Sequence, residues 1–192
     1  MVHFENCVPD SIAAEAGAQC DVISAGKTDT WPPRTDGRLL VYCHGGLWTE
    51  RDKSALLAGA RTLAQQLNVT VAIPNYVLCQ PWPAALDSLW AILRWLLCHL
   101  DSQRVVFLGH SVGGHMSAFL PLAKGDTVLD NGLTLASLTK AVIGVQGMYD
   151  LRAWATAFPN YAPELKVTFP GGSSSFSDPT TVRPSQSTLD TL

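Results

Sequence analysis

The sequence predicts an α/β domain: a mostly parallel sheet with helices on both faces. Short β-rich runs alternate with longer helical patterns through most of the chain, which is the rhythm of βαβ units. Two runs, RLLVYC at 38–43 and VVFL at 105–108, are apolar almost throughout, as strands buried on both faces are. The 192 residues are 47% hydrophobic and 15% charged, enough apolar material for one well-buried domain and too little charge for a disordered chain.

Taken in order, Arg38 to Cys43 reads as a central strand, and VTVAI at 69–73, stopped by Pro74, as its neighbour. Between them, residues 54–67 place Leu56, Leu57, Ala60, Leu63, Ala64 and Leu67 at helical spacing. Pro83 suits the first turn of a second helix running to about Leu100, because its missing N–H costs nothing there. The strand at 105–108 feeds GHSVGG and a helix expected to end near Pro121, and AVIGV at 141–145 is a further strand. A short helix is expected at 151–157. Residues 1–158 thus form the core, and 159–192, rich in Pro, Gly and Ser, read as an irregular tail or lid segment.

Composition excludes several functions. A net charge of -3 with no basic stripe gives nucleic acid no electrostatic footing. The opening MVHFENCVPD lacks the cationic start and apolar stretch of a secretory signal, and the run at 86–100 is interrupted by Asp87, Arg94 and His99, so no membrane span is expected. A cytoplasmic protein is the expectation. Five cysteines without a C-x-x-C pair indicate neither a zinc site nor a disulfide framework, and no metal or organic cofactor is implied.

The chemistry concentrates in two motifs. Gly109-x-Ser111-x-Gly113 lies between a predicted strand and a predicted helix, the context in which G-x-S-x-G reads as a nucleophile elbow. The alternative is a glycine-rich turn whose serine caps a helix. His44-Gly45-Gly46-Leu47-Trp48 follows the first strand directly, and in a parallel sheet the loops at the carboxyl ends of neighbouring strands converge on one crevice. Ser111 is therefore the candidate nucleophile. The N–H groups of Gly45, Gly46 and Val112 are the candidate donors to the oxyanion that acyl transfer builds. His44, Leu47, Trp48 and Tyr76 are assigned to the pocket, with His44 fixing the glycine loop by a hydrogen bond. His110 is expected to point away from Ser111, and His115 to pack on the elbow helix.

With HGGLW, GHSVGGH, PNYVLCQPWPAALDSLWAILRWL and GVQGMYDL, the chain resembles the α/β-hydrolase fold over about residues 1 to 158. Within that fold it is similar to the HGG-bearing esterases and amidases of the hormone-sensitive lipase and kynurenine formamidase type. HGG-x-W and His115 bring it nearer the latter, whereas the lipase-like branch usually has a third glycine where this chain has Leu47. The resemblance implies a serine hydrolase of small esters or aryl formamides, N-formylkynurenine among them. A serine needs a general base, in this fold a histidine held by a carboxylate, in the order Ser, acid, His. After Ser111 the chain has only His115 and no match to the family's late histidine, so an incomplete, C-terminally truncated α/β-hydrolase fold is expected. The base and acid then lie beyond Leu192 or in an unrecognised residue. The alternative is a noncatalytic truncated homologue or pseudoenzyme that binds a small acyl ligand or a protein partner. Missing terminal strands leave an open sheet edge, which predicts homo-oligomers.

Overall fold

The computed structural model describes residues 1–26, 29–33 and 36–176. One six-stranded sheet has the order β1-β2-β4-β3-β5-β6, with β1 Val2–Phe4, β2 Cys20–Ser24, β3 Arg38–Cys43, β4 Thr70–Pro74, β5 Arg104–His110 and β6 Thr139–Val145. Strands β4, β3, β5 and β6 are parallel, with Leu40 opposite Val71 and Val41 opposite Phe107, while β1 and β2 add antiparallel at one edge. Helices α1 (Asp10–Ala16), α3 (Ala84–His99) and α4 (Val112–Lys124) cover one face, burying Leu39, Val41, Val105 and Phe107. Helix α2 (Leu57–Leu67) covers the other through Ala60 and Ala64 against Leu40, Val71 and Ile73. This alternation of Leu39 and Val41 against Leu40 is the period of two that lets one strand serve two cores. No described helix is long and apolar enough to cross a membrane.

Local chemistry explains the element ends. Asp52 accepts from the Ser54 N–H at 2.7 Å and starts a 3-10 turn that leads into α2, and Asn68 closes α2 in the left-handed region. The four-residue helix α5 (Leu135–Leu138) has a capping box between Thr134 and Ser137. Helix α4 runs past Pro121, where the sequence suggests its end. It is buried over nearly its whole length, and that packing outweighs the local cost of about 3 kcal/mol for an interior proline.

Besides α5, three elements ahead of β3 escape the sequence reading. β1 is three half-buried residues, α1 is two turns, and β2 carries a charge in its middle. Asp21 in β2 is held by Lys53 Nζ at 2.7 Å, by His3 Nε2 at 2.9 Å and by the Asn6 N–H at 2.9 Å. Burial alone would raise its pKa, but these partners bring it below the usual carboxylate value. The region read as an irregular tail is also partly ordered: α6 (Leu151–Ala157) leads through a 3-10 turn to α7 (Ala162–Thr168), which tolerates Pro163 in its first turn. Residues 177–192 of that tail lie outside the described residues.

The segment after α7 docks by one ring. Phe169, 1% exposed, enters a cluster with Trp48, Trp82, His115 and Phe119 whose neighbouring ring centroids lie 5.1 to 6.1 Å apart. Trp82 N–H also donates to the Thr168 carbonyl at 2.7 Å. Inside this cluster burial lowers the His115 pKa from 6.5 to about 4, although the Met148 carbonyl, 2.7 Å from Nδ1, favours the charged form. The unfolded chain therefore takes up a proton at His115 that the folded chain refuses. Stability is full above pH 6.5 and falls as the pH drops toward 4, by about 3 kcal/mol from this residue. Urea midpoints measured across that range should fall in the wild type and fall less in His115→Phe; parallel curves would assign the acid sensitivity elsewhere.

Candidate active site

The carboxyl ends of β3 and β5 lie side by side, with Cys43 opposite Gly109, so the loops that leave them meet. The chain turns sharply from β5 into α4 at Ser111, whose φ of 56° and ψ of -123° lie outside the ordinary regions for a residue with a Cβ. Such a conformation costs on the order of 1–3 kcal/mol and persists only where the surroundings enforce it. Here the Ser111 N–H donates to the Val145 carbonyl of β6 at 2.9 Å, and the Ser111 carbonyl accepts from the His115 N–H at 3.1 Å. The next turn of the helix is pressed against the first loop: a Cβ at Gly113 would run into the carbonyls of Cys43 and His44. Only glycine allows that approach.

The first loop is braced from beneath. Tyr76 stacks on His44 with centroids 4.3 Å apart, and its hydroxyl faces the His44 carbonyl at 3.0 Å and the Gly45 carbonyl at 3.4 Å. His44 Nδ1 lies 2.8 Å from the Gly45 carbonyl, the hydrogen bond the sequence suggests for this residue, and with Nδ1 protonated it donates. In a trans peptide the N–H points opposite to the C=O. With both carbonyls turned to Tyr76, the N–H groups of Gly45 and Gly46 face away from it. Gly46 has a φ of 116°, and a side chain there would meet the Glu50 carbonyl. An ideal Cβ on Gly45 would stand 3.2 Å from the Ser111 Cβ, so the two motifs are in contact.

A cleft of about 560 Å³ opens over this contact. Gly46, Leu47 and Ser111 line it, Glu50 and Arg51 stand on one rim, and Trp154, Phe158 and Tyr161 form an aromatic wall with ring centroids 5.2 and 5.6 Å from Trp154. Of the four residues assigned to the pocket, only Leu47 reaches the cleft. His44, Trp48 and Tyr76 are 1%, 0% and 3% exposed and lie behind the loop. Positive φ values at Leu47 and Trp48 turn the indole inward to the aromatic cluster, which takes Trp82 too. The wall was invisible in the sequence because α6 and the turn after it reach the cleft only through the fold.

All five histidines are accounted for, and no imidazole is hydrogen-bonded to the Ser111 hydroxyl. His110 Nε2 pairs with Gln146 Oε1 at 3.2 Å, His99 Nδ1 bonds the Trp95 carbonyl, and His3 holds Asp21. His44 and His115 each use Nδ1 on a carbonyl and leave Nε2 buried without a partner. Burial lowers the pKa of both. The Ser111 hydroxyl has the Met148 sulfur as its neighbour, at 4.0 Å.

Comparison with known proteins places this geometry in a family. Carboxylesterase NlhH of Mycobacterium tuberculosis is 34% identical over 99 residues, which are 47% of this chain and 31% of that protein. Kynurenine formamidase of Drosophila melanogaster is 28% identical over 139 residues, 69% of this chain and 42% of that protein. The chain therefore spans well under half the length of these curated relatives. Among solved structures, esterase LipW from Mycobacterium marinum superposes with a TM-score of 0.62 at 20% identity, covering 90% of this chain and 60% of that one, a likeness of fold. The sequence pattern of the family described as alpha/beta hydrolase fold matches residues 40–165, from β3 into α7, and the chain belongs to that family.

Proposed function

We propose that this chain carries the nucleophile and oxyanion half of a serine acyl-hydrolase site for small esters or aryl formamides. The observation that carries the reading is the strained Ser111, set at the cleft floor in contact with the Gly45–Gly46 loop. In the proposed reaction Ser111 Oγ attacks the carbonyl carbon of the substrate, and its proton passes to a base as the bond forms. The carbonyl oxygen becomes an oxyanion that takes hydrogen bonds from the N–H groups of Gly45 or Gly46 and of Val112. Val112 is the first residue of α4, where the N–H has no partner inside the helix and the dipole is positive. One such donor is worth roughly 10²–10³ in rate. Collapse of the intermediate expels an alcohol or an aryl amine, and water then releases the acid.

The aromatic wall gives the aryl group of such a substrate a surface to stack on, and the printed activities of the relatives, carboxylesterase and kynurenine formamidase, are both acyl hydrolyses. A second reading, a noncatalytic homologue that keeps the cleft for an acyl ligand, is favoured by one observation: no histidine ring bonds the Ser111 hydroxyl. Oligomerisation belongs to the same proposal. β6 ends the sheet among the described residues, with Val142, Ile143 and Val145 39%, 49% and 47% exposed, and Ile143 borders an apolar hollow with Leu67, Val106 and Leu108. Self-pairing of that edge covers it.

Three outcomes are expected. A fluorophosphonate probe should label the wild type slowly and Ser111→Ala not at all, because the elbow and donors are present and the serine has no bonded base; absence of serine-dependent labelling would favour the noncatalytic reading. Phe158→Ala and Trp154→Ala should slow labelling by an aryl-bearing phosphonate by roughly tenfold while sparing a short alkyl one; equal losses for both probes would remove the aryl assignment. Gel filtration across a concentration series should show self-association that Ile143→Lys reduces, and a monomer at every concentration would reject the edge contact.

A further inference from the structure

Two cysteines that the proposed site does not use lie against each other at the opposite side of the sheet. β1 and β2 pair in antiparallel register from Val2 opposite Ser24 to Phe4 opposite Val22. Asn6, at a φ of 46°, then kinks the chain, and its N–H is held by Asp21 Oδ1 at 2.9 Å. Past the kink the chain stays against β2: the Cys7 N–H donates to the Cys20 carbonyl at 2.9 Å, while the Cys20 N–H turns to the Gln19 side-chain oxygen at 3.4 Å. A direct N–H···O=C bond of this kind makes the two residues neighbours on adjacent backbone segments, which in a sheet run about 4.7–4.9 Å apart. A disulfide requires Cα atoms roughly 4.4–6.8 Å apart, a reach suited to such neighbours.

The side chains converge as well. Cys7 Sγ lies 3.3 Å from the Cys20 carbonyl oxygen, Cys20 Sγ lies 3.3 Å from the next carbonyl, that of Asp21, and the Cys7 thiol is near enough to act on the ionisation of Cys20. Cys7 is half-buried at the protein surface, whereas Cys20 is fully buried. We propose that Cys7 and Cys20 are an oxidisable pair, with Cys7 the attacking thiol and Cys20 the resolving one, and that small disulfides are the oxidant. The assignment follows from access. Burial, and next the Cys7 thiol, push the Cys20 pKa well up, so Cys20 is held as the thiol and does not lead the attack.

The chemistry balances without any other reagent. The Cys7 thiolate attacks one sulfur of the small disulfide, forming a mixed disulfide and releasing one small thiolate. The Cys20 sulfur then attacks Cys7 Sγ, giving up its proton as the new bond forms, and expels the second small thiolate. The two cysteine protons end on the two released thiolates, so one small disulfide is reduced to two thiols as the protein pair is oxidised. The bond closes the loop that carries α1 and fastens it to β2, whose Cys20 is paired with Pro74 in β4 two residues before Tyr76, the brace of the glycine loop. The pair lies apart from Ser111 and does not depend on the acyl-hydrolase reading.

The test treats the full chain with oxidised glutathione, alkylates the remaining thiols after unfolding, and maps the peptides by mass spectrometry. The expected product is a Cys7–Cys20 linked peptide lighter by two hydrogens than the reduced pair. Cys20→Ser should stop at a glutathione adduct on Cys7, and Cys7→Ser should leave Cys20 reduced. The exposed Cys79 reports that the reagent is active. A lasting glutathione adduct on wild-type Cys7 with Cys20 still alkylated, or no reaction at Cys7 while Cys79 is modified, would overturn the proposal. Both readings come from the wild type, so the result holds even where a variant fails to fold.

Discussion

The close approach of α4 to the end of β3 is the constraint on which the site rests. A backbone at Gly113 packed on the carbonyls of Cys43 and His44 leaves no room for a side chain, and the strain at Ser111 is sustained because the strands on each side are fixed. β5 lies between β3 and β6, and the Ser111 N–H is bound to β6. The elbow is thus gripped by both neighbours in the sheet. Relaxing it would require breaking the bond to β6 and parting β5 from β3, whose Leu39, Val41 and Cys43 are buried.

The glycine loop answers to a second support, the stacked pair of His44 and Tyr76. Here a histidine and a tyrosine close to the serine turn serve the backbone. The tyrosine hydroxyl takes up two carbonyls, and peptide planarity then orients the N–H groups on the opposite side. Burial keeps the His44 imidazole neutral by lowering its pKa, which suits a ring whose Nε2 has no partner. The same division holds in the aromatic cluster, where Trp48 and His115 are committed to packing with Trp82 and Phe169. A polar or aromatic residue near a catalytic motif in sequence is consequently a poor guide to what faces the ligand.

Much of the fold was readable because its central strands obey simple rules. β3 was found to the residue, and α6 at 151–157 likewise, since an unbroken apolar run and a helical period survive burial. β2 was missed because Asp21 interrupts its apolar run, and the interruption is tolerated only through Lys53 and His3, which are distant in the chain. α4 was placed correctly but cut short at Pro121, where packing overrides local propensity.

The amino-acid order alone determined the parallel α/β class, the position of the serine turn and the presence of the glycine loop, because each depends on neighbours within a few residues. Tertiary structure decided which side chains meet the cleft. It sent Trp48 and Tyr76 inward, brought Trp154, Phe158 and Tyr161 to the wall, and set Cys7 against Cys20. Facing directions across a sheet are fixed by strand register and helix packing, which join residues dozens of positions apart, and no local pattern encodes them.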